Sequence, residues 1–292
     1  MVFQEKNKIK ILIFLFLIAA LVWIDVFAEA KQSQTLKVEF FDVGQGDSIF
    51  VETGDKKQIL IDGGPDLSVL EKIGRAIPFY DRYIDVIVLT HPEQDHLNGL
   101  IEIIKRYNVG AIITSGIVRN TNQYREWIKI IEQKNIPLYI AQRGGIIDFG
   151  NGIYLNILHP FENMDGKELS DSNNYSIVSK LVYKNFDALF TGDIEKSVEK
   201  KLIQSGINLK SDILKIAHHG SKTSTSEEFL KAVDAIVAVI QMGKDNQYGH
   251  PHQEVLERLK NLRVLQIGEH GDTEIVTDGQ FLSIFSRGSS AP

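Results

Sequence analysis

The chain contains no cysteine. That excludes disulfides, zinc–thiolate sites and cysteine nucleophiles together, so any metal must be held by His, Asp, Glu or Asn. Positive charge is not in surplus either. Lys and Arg number 32 against 38 Asp and Glu, a net charge of -6. Such a balance gives no general attraction to nucleic acid, although a local basic strip or a bound cation can supply one. No Pro/Gly/Ser-rich linker and no low-complexity tract divides the chain. Long apolar runs are absent with one exception, Ile11 to Ile24.

Lys6, Lys8 and Lys10 precede that run. Its 14 residues suit the apolar region of a signal peptide better than a membrane span, which needs about 20. Val26-Phe27-Ala28 and Ala28-Glu29-Ala30 both resemble small-residue cleavage sites. Residues 1–30 therefore read as a signal peptide or a membrane anchor. The anchor reading adds possible membrane association through residues 11–28. Both readings place the folded part outside the cytoplasm, secreted or extracytoplasmic.

The remainder has the composition of a folded domain, with enough apolar residues for a sizeable core. Short segments rich in β-formers occur at Leu36–Val43, Ser48–Thr53 and Gln58–Ile61, with "GDKK" (54–57) as a hairpin turn. Ile84–Leu89 is nearly all apolar, as in a strand covered on both faces. Leu97–Tyr107 carries apolar residues at helical spacing, and Gln123–Gln133 is a second helix candidate. Further strands are expected at Gly152–Leu158, Ser176–Tyr183, Asp187–Phe190, Ile213–Ala217, Ala235–Ile240, Val264–Ile267, Glu274–Thr277 and Phe281–Phe285. Helices are expected at Glu195–Gln204, Ser226–Ala232 and His252–Lys260, and Asn163–Asn174 reads as a loop. Strands and helices mixed through both halves predict one layered α/β domain over residues 36–287.

Polar residues gather at the ends of these strands. "THPEQDH" (90–96) follows Ile84–Leu89, and Thr191-Gly192-Asp193 follows Asp187–Phe190. His218-His219-Gly220-Ser221 follows the strand at 213, and Gly249-His250-Pro251-His252 lies after Ala235–Ile240. Ligands of α/β proteins collect at carboxyl ends of strands. Five of the eight histidines fall in these clusters (91, 96, 218, 219, 250), with His252 a sixth at the edge of the last, and imidazole with carboxylate is a ligand set for divalent metals.

The order H-x-x-x-D-H, T-G-D, H-H-G-S resembles the metallo-β-lactamase fold. The more specific resemblance is to the C-terminal hydrolase-like domain of ComEC-type competence (DNA-internalisation) proteins. It is carried by "FFDVGQGDSIFVE" (40–52), "ILIDGG" (59–64), "LTHPEQDHLNGL" (89–100), "NNYSIV" (173–178), "LFTGDI" (189–194), "LKIAHHGSKTSTS" (214–226) and "YGHPH" (248–252). The resemblance implies a four-layer αββα sandwich with one or two divalent ions (Zn, Mn or Mg) at one edge of the sheets. It implies His91 and Glu93 on a first metal, Asp95 and His96 on a second, Asp193 bridging, and His218 or alternatively His219 completing the second site. Asp62 would orient a ligand. Two departures stand out. Glu93 replaces a histidine, which shifts preference from zinc toward manganese or magnesium. The family's third histidine has no counterpart in "SNNYS", leaving Asn174 or His159 as candidates.

Metal coordination lowers the pKa of bound water to about 7. Asp95 would orient the nucleophile, and His250 would contact a scissile phosphate or protonate the leaving oxygen. Ser221, Lys222 and Ser224 would hydrogen-bond phosphate, or their loop would only lead into a helix capped by Ser226. The function expected first is an exported metal-dependent phosphodiesterase or nuclease with nucleic acid, DNA above all, as substrate. A hydrolase of lactams, lactones or thioesters and a non-catalytic DNA- or partner-binding module are the alternatives. No protein partner is inferable.

Overall fold

A computed structural model of the chain describes residue 10, residues 13–20, residue 23, residues 34–169 and residues 171–288. Residues 13–20 are helical. The cleavage positions expected at 26–30 lie outside the described residues. No helix among the described residues is long and apolar enough to cross a membrane.

Two sheets are stacked. The first runs β1 (Leu36–Phe40), β2 (Ile49–Thr53), β3 (Gln58–Ile61), β4 (Tyr83–Leu89), β5 (Asn108–Thr114) and β6 (Leu138–Ile140), and the last strands β14 (Asp272–Thr277) and β15 (Leu282–Arg287) return to it. Its order is β15-β14-β1-β2-β3-β4-β5-β6. The second sheet has the order β13-β12-β11-β10-β9-β8-β7. Its strands are β7 (Ile146–Gly150), β8 (Ile153–His159), β9 (Val178–Tyr183), β10 (Phe186–Phe190), β11 (Ile213–Lys215), β12 (Val237–Ile240) and β13 (Arg263–Gln266).

Helices cover both outer faces. Over the first sheet lie α1 (Ser68–Ala76), α2 (Gln94–Arg106) and α3 (Asn122–Lys134). Over the second lie α4 (Lys196–Gln204), α5 (Glu227–Val233) and α6 (Gln253–Arg258), and a short α7 (Ile267–His270) follows β13. The four-layer αββα order expected from the resemblance is the one adopted. Three apolar cores fill it, one between the sheets and one under each helical layer. Strand β4 shows why its sequence is apolar throughout: Val86 and Val88 point between the sheets, and Ile87 and Leu89 pack under the helices. Across the central core, Phe40 meets Phe190 edge to face with centroids 6.3 Å apart.

The period-2 and period-3.6 signals located most elements to within a few residues. Three strands and two helices, α1 and the single-turn α7, escaped them. Gly110 interrupts the β pattern of β5, whereas β6 and β7 are edge strands with largely exposed side chains. Helix α1 buries only Val69 and Ile73, too few positions to stand out in the sequence.

The loop Asp62–Pro65 is clamped onto the first turns of α2. Gly63 N donates to the His96 carbonyl at 2.8 Å, and Gly99 N donates to the Gly64 carbonyl at 3.1 Å. A Cβ on Gly99 would fall 1.8 Å from the Gly63 carbonyl oxygen. Gly99→Ala should therefore destabilise the protein in urea unfolding by about 1–3 kcal/mol or more, the overpacking outweighing the roughly 1 kcal/mol helix-propensity gain.

Candidate metal centre

The carboxyl ends of β4, β10, β11 and β12 meet at one end of the sandwich, and each delivers part of the site. Thr90 follows β4 and is fixed by Asp62: its N–H donates to Oδ1 at 2.8 Å and its hydroxyl to Oδ2 at 2.7 Å. His91 lies next, with Nδ1 3.0 Å from the Thr90 hydroxyl. Asp95 and His96 stand on the first turn of α2, and His96 Nδ1 lies 2.8 Å from Asp62 Oδ2. Asp62 itself has φ 57, a left-handed conformation that Asp tolerates better than most residues.

From the second sheet, Asp193 follows β10 and the pair His218-His219 follows β11. Both histidines are left-handed, φ 51 and φ 53, in a 3-10 turn. This uncommon backbone sends the two imidazoles different ways. His219 is buried, with Nδ1 2.8 Å from the Gln241 carbonyl. Its Nε2 lies 3.3 Å from both Asp95 Oδ2 and Asp193 Oδ2. His96 Nε2 lies 3.4 Å from the same Asp193 oxygen and 3.9 Å from Asp95 Oδ2.

Asp95, His96, Asp193 and His219 thus present donor atoms within 4.8 Å of one another. His91 Nε2, His96 Nε2, His219 Nε2 and Asp193 Oδ1 are buried without a hydrogen-bond partner. An unsatisfied buried polar atom costs about 1–3 kcal/mol, so several pointing into one place is unfavourable unless a ligand fills it. The imidazoles are each tied at Nδ1, which leaves Nε2 facing the cluster, the arrangement of metal-binding histidines. The residues fit a divalent ion.

Charge supports the same reading. Burial pulls His96 down, but Asp193, Asp95 and Asp62 together hold it well above the usual histidine value. Burial likewise opposes protonation of His219, and Asp193, Asp47 and Asp95 overcome it. His91 behaves oppositely: burial and the neighbouring His96 bring it down to about 3, a neutral imidazole with a free lone pair. Burial would raise Asp193, but His219 and His96 hold it well below the carboxylate range. Protons on two histidines therefore offset the carboxylates where a metal would otherwise do so.

Several expected roles meet different geometry. His219, and not His218, joins Asp95, His96 and Asp193. His218 is half-buried beside Asn173, its Nε2 3.4 Å from the Asn173 amide. Glu93 is outside the cluster, with one oxygen accepting from Ser172 at 2.7 Å and the other from Arg119 at 3.1 Å. Asn174 is spent on the start of α4: its amide donates to Glu195 and its oxygen accepts from Glu195 N and Ser197. His159 is buried, with Nε2 3.0 Å from the Asn174 carbonyl, and burial lowers it to about 4. Ser224 is buried and donates to the Ile194 carbonyl, Ser221 is buried too, and Lys222 alone of the three is exposed. Ser226 does cap α5, accepting from Phe229 N at 3.3 Å.

Sequence reasoning missed two charged residues here. Asp47, from "DVGQGD", has its Oδ1 3.4 Å from His219 Nδ1. Lys215, fully buried at the end of β11, contacts Asp47 and lies 3.6 Å from Asp193 Oδ1. The signal was present: a lysine inside the apolar run "ILKIA" demands a buried counter-charge.

His91, Asp95, Asp193, His219 and His250 line a cleft of about 320 Å³. Tyr248 forms its outer rim, stacked on His250 with centroids 5.8 Å apart. A larger cavity of about 800 Å³ lies on the other side of Asp171, which borders both. It holds none of the metal-capable cluster.

A profile of the metallo-beta-lactamase superfamily matches residues 41–244. The chain belongs to that superfamily. Within it, the chain is 30% identical over 255 residues to ComE operon protein 3 of Bacillus subtilis (strain 168), covering 80% of this chain and 32% of that protein. It is also 30% identical over 234 residues to competence protein ComA of Neisseria gonorrhoeae, covering 80% and 30%. The chain spans about a third of the length of these curated relatives. Among solved structures, the metallo-beta-lactamase fold protein YhfI from Bacillus subtilis superposes with a TM-score of 0.54 at 12% identity, over 86% of this chain and 100% of that one. Igni18, a metallo hydrolase from Ignicoccus hospitalis, gives 0.52 at 16% identity, over 85% and 98%. At these identities the two structures speak for the fold alone.

Two outcomes follow from this superfamily site. Because His96 and His219 are raised in the folded state, their protons stabilise the metal-free fold fully below about pH 6.5, and that contribution fades as pH rises through their folded values. Divalent metal binding near neutral pH should release protons, read by calorimetry in buffers of different ionisation heat. Asp62→Ala, which frees the His96 ring, should weaken metal affinity by about 10–100-fold in a chelator competition.

Proposed function

We propose that the protein is a metal-dependent phosphodiesterase that cleaves nucleic acid outside the cytoplasm, with DNA as the first substrate to test. The observation that carries the reading is a metal-capable cluster of Asp95, His96, Asp193 and His219 in a chain 30% identical, over 80% of its length, to competence proteins. Hydrolysis as the reaction class rests on the superfamily. The phosphodiester substrate and the location rest on the competence likeness and on the apolar N-terminal run.

A divalent ion bound at this cluster would supply Lewis acidity and lower the pKa of a water molecule to about 7. The donor set of two imidazoles and two carboxylates suits manganese or zinc better than magnesium, which prefers oxygen throughout. His91 adds a third imidazole beside it, its ring centroid 4.1 Å from that of His96.

The chain's own groups divide the remaining work. Asp95 is the most exposed member of the cluster, its carboxylate facing both the cleft and His219, and it orients the attacking water. His250 is held through its backbone by Asn246, and burial with His219 and His218 lowers it to about 4. It is therefore a neutral hydrogen-bonding group until an anionic phosphate beside it raises its pKa, which couples its proton donation to substrate binding. Tyr248 offers an exposed ring at the rim on which a base can stack.

Purified protein loaded with Mn2+ should cleave linear DNA, and chelation should stop it. Asp95→Ala should lower the rate by at least about 100-fold with an unchanged circular dichroism spectrum. Unchanged cleavage by this variant, or bound metal with no cleavage of any nucleic acid, would remove the nuclease reading and leave a hydrolase of another substrate class.

A further inference from the structure

Strand directions give the sandwich two distinct ends. The metal-capable cluster occupies one. At the other, Leu36 pairs with Thr53 and with Thr277, so the chain enters the domain between the β2–β3 and β14–β15 hairpins. The loop before β4 belongs to this end too, through Gln58 donating to Asp81 at 2.7 Å and Lys57 to Asp85 at 3.0 Å. The second sheet contributes its β9–β10 hairpin, where Lys184 donates to the Asp278 carbonyl at 2.9 Å and Tyr183 to the Gln34 carbonyl at 2.5 Å.

The three most exposed large apolar side chains among the described residues all lie here. They are Phe79 at 84%, Phe281 at 76% and Tyr80 at 75% exposure. Phe79 and Tyr80 stand before β4, Phe281 stands before β15, and the point of chain entry lies between them. Ile236, 60% exposed just before β12, carries the pattern onto the second sheet. These rings are spread across an end surface and not gathered in a groove. Lys56, Lys57, Arg82 and Lys184 are interspersed with Asp55, Asp81, Asp85 and Asp278, so the surface carries little net charge. Protruding aromatics on a nearly neutral, mixed-charge rim fit the headgroup region of a bilayer, where amphipathic rings are stable.

The apolar run Ile11–Ile24 leads to this same end, separated from Leu36 by 11 residues. Eleven extended residues reach at most about 40 Å. We propose that this end of the domain rests on the lipid surface in which the apolar N-terminal segment is embedded, with the metal-capable cleft turned away from the membrane. The proposal rests on that segment remaining in the chain and in lipid, and it is independent of which substrate the cleft accepts.

The absence of native cysteine permits a direct test. The full chain, carrying a single Phe79→Cys, Phe281→Cys or Lys222→Cys substitution, is labelled with an environment-sensitive fluorophore. It is then reconstituted into phosphatidylcholine/phosphatidylglycerol vesicles with or without headgroup-level spin-labelled lipid. The expected result is flotation with the vesicles, loss of emission at 79 and 281, and no loss at 222. Flotation with equal emission at all three positions overturns the orientation and leaves the anchor standing. Failure to float overturns both. Loss of quenching at 79 and 281 with a doubling of mass would assign this end to a second copy of the chain. Cleavage activity is not read in any arm, so the hydrolase reading stands or falls separately.

Discussion

The contact between Lys215 and Asp47 joins the two halves of the molecule at the site. Lys215 ends β11 of the second sheet, and Asp47 stands in the β1–β2 loop of the first, both buried. Burial alone would discharge the lysine, but Asp47 and Asp193 keep it charged. Loss of either partner would strand a charge in the interior, at about 3–5 kcal/mol. Gln241 reinforces the junction from β12, donating to the Phe41 and Ser48 carbonyls at 3.2 and 2.8 Å. His96 hangs from one side of this junction, and Asp193 and His219 hang from the other. The separation of the donor atoms is therefore set in part by this ion pair and amide, and Asp47 itself, with Asp62 and His96, offers a second group of metal-capable oxygens and nitrogen.

The junction also explains the charge balance of the cluster. Asp47, Asp62 and Asp193 are all nearly inaccessible to water. Lys215 offsets part of that charge permanently. The remainder falls to His96 and His219, which carry protons in the metal-free protein and can exchange them for a divalent cation. A fixed lysine beside two exchangeable histidines lets the interior stay charge-balanced in both states.

The architecture was largely legible in the sequence because β4, β10, β11 and β12 are short apolar strands that each end in a polar cluster. Which residue of a cluster faces inward was less so. Spacing treats His218 and His219 as equivalent, whereas two successive left-handed residues bring His219, not His218, beside Asp95 and Asp193. Glu93 occupies the position of a family histidine, yet Arg119 and Ser172, distant in sequence, take its oxygens. Asn174 resembled a substitute ligand, but the start of α4 uses its side chain and leaves its neighbour Asn173 at the cleft. For Glu93 and Asn174, partners far away in the chain take the side-chain atoms that the motif alone would offer to a metal.

Because the donor atoms come from both sheets, chain order governs when they can meet. A polypeptide that has emerged only as far as β10 possesses His91, Asp95 and His96 but neither Asp193 nor His219. The sheet that positions the first three is also incomplete until β14 returns to pair with β1, Leu36 opposite Thr277. Folding so dependent on contacts between the two ends of the chain is slow and completed late. The site thus cannot be complete until nearly the whole domain, from β1 to β14, is free to fold, whichever side of a membrane it folds on.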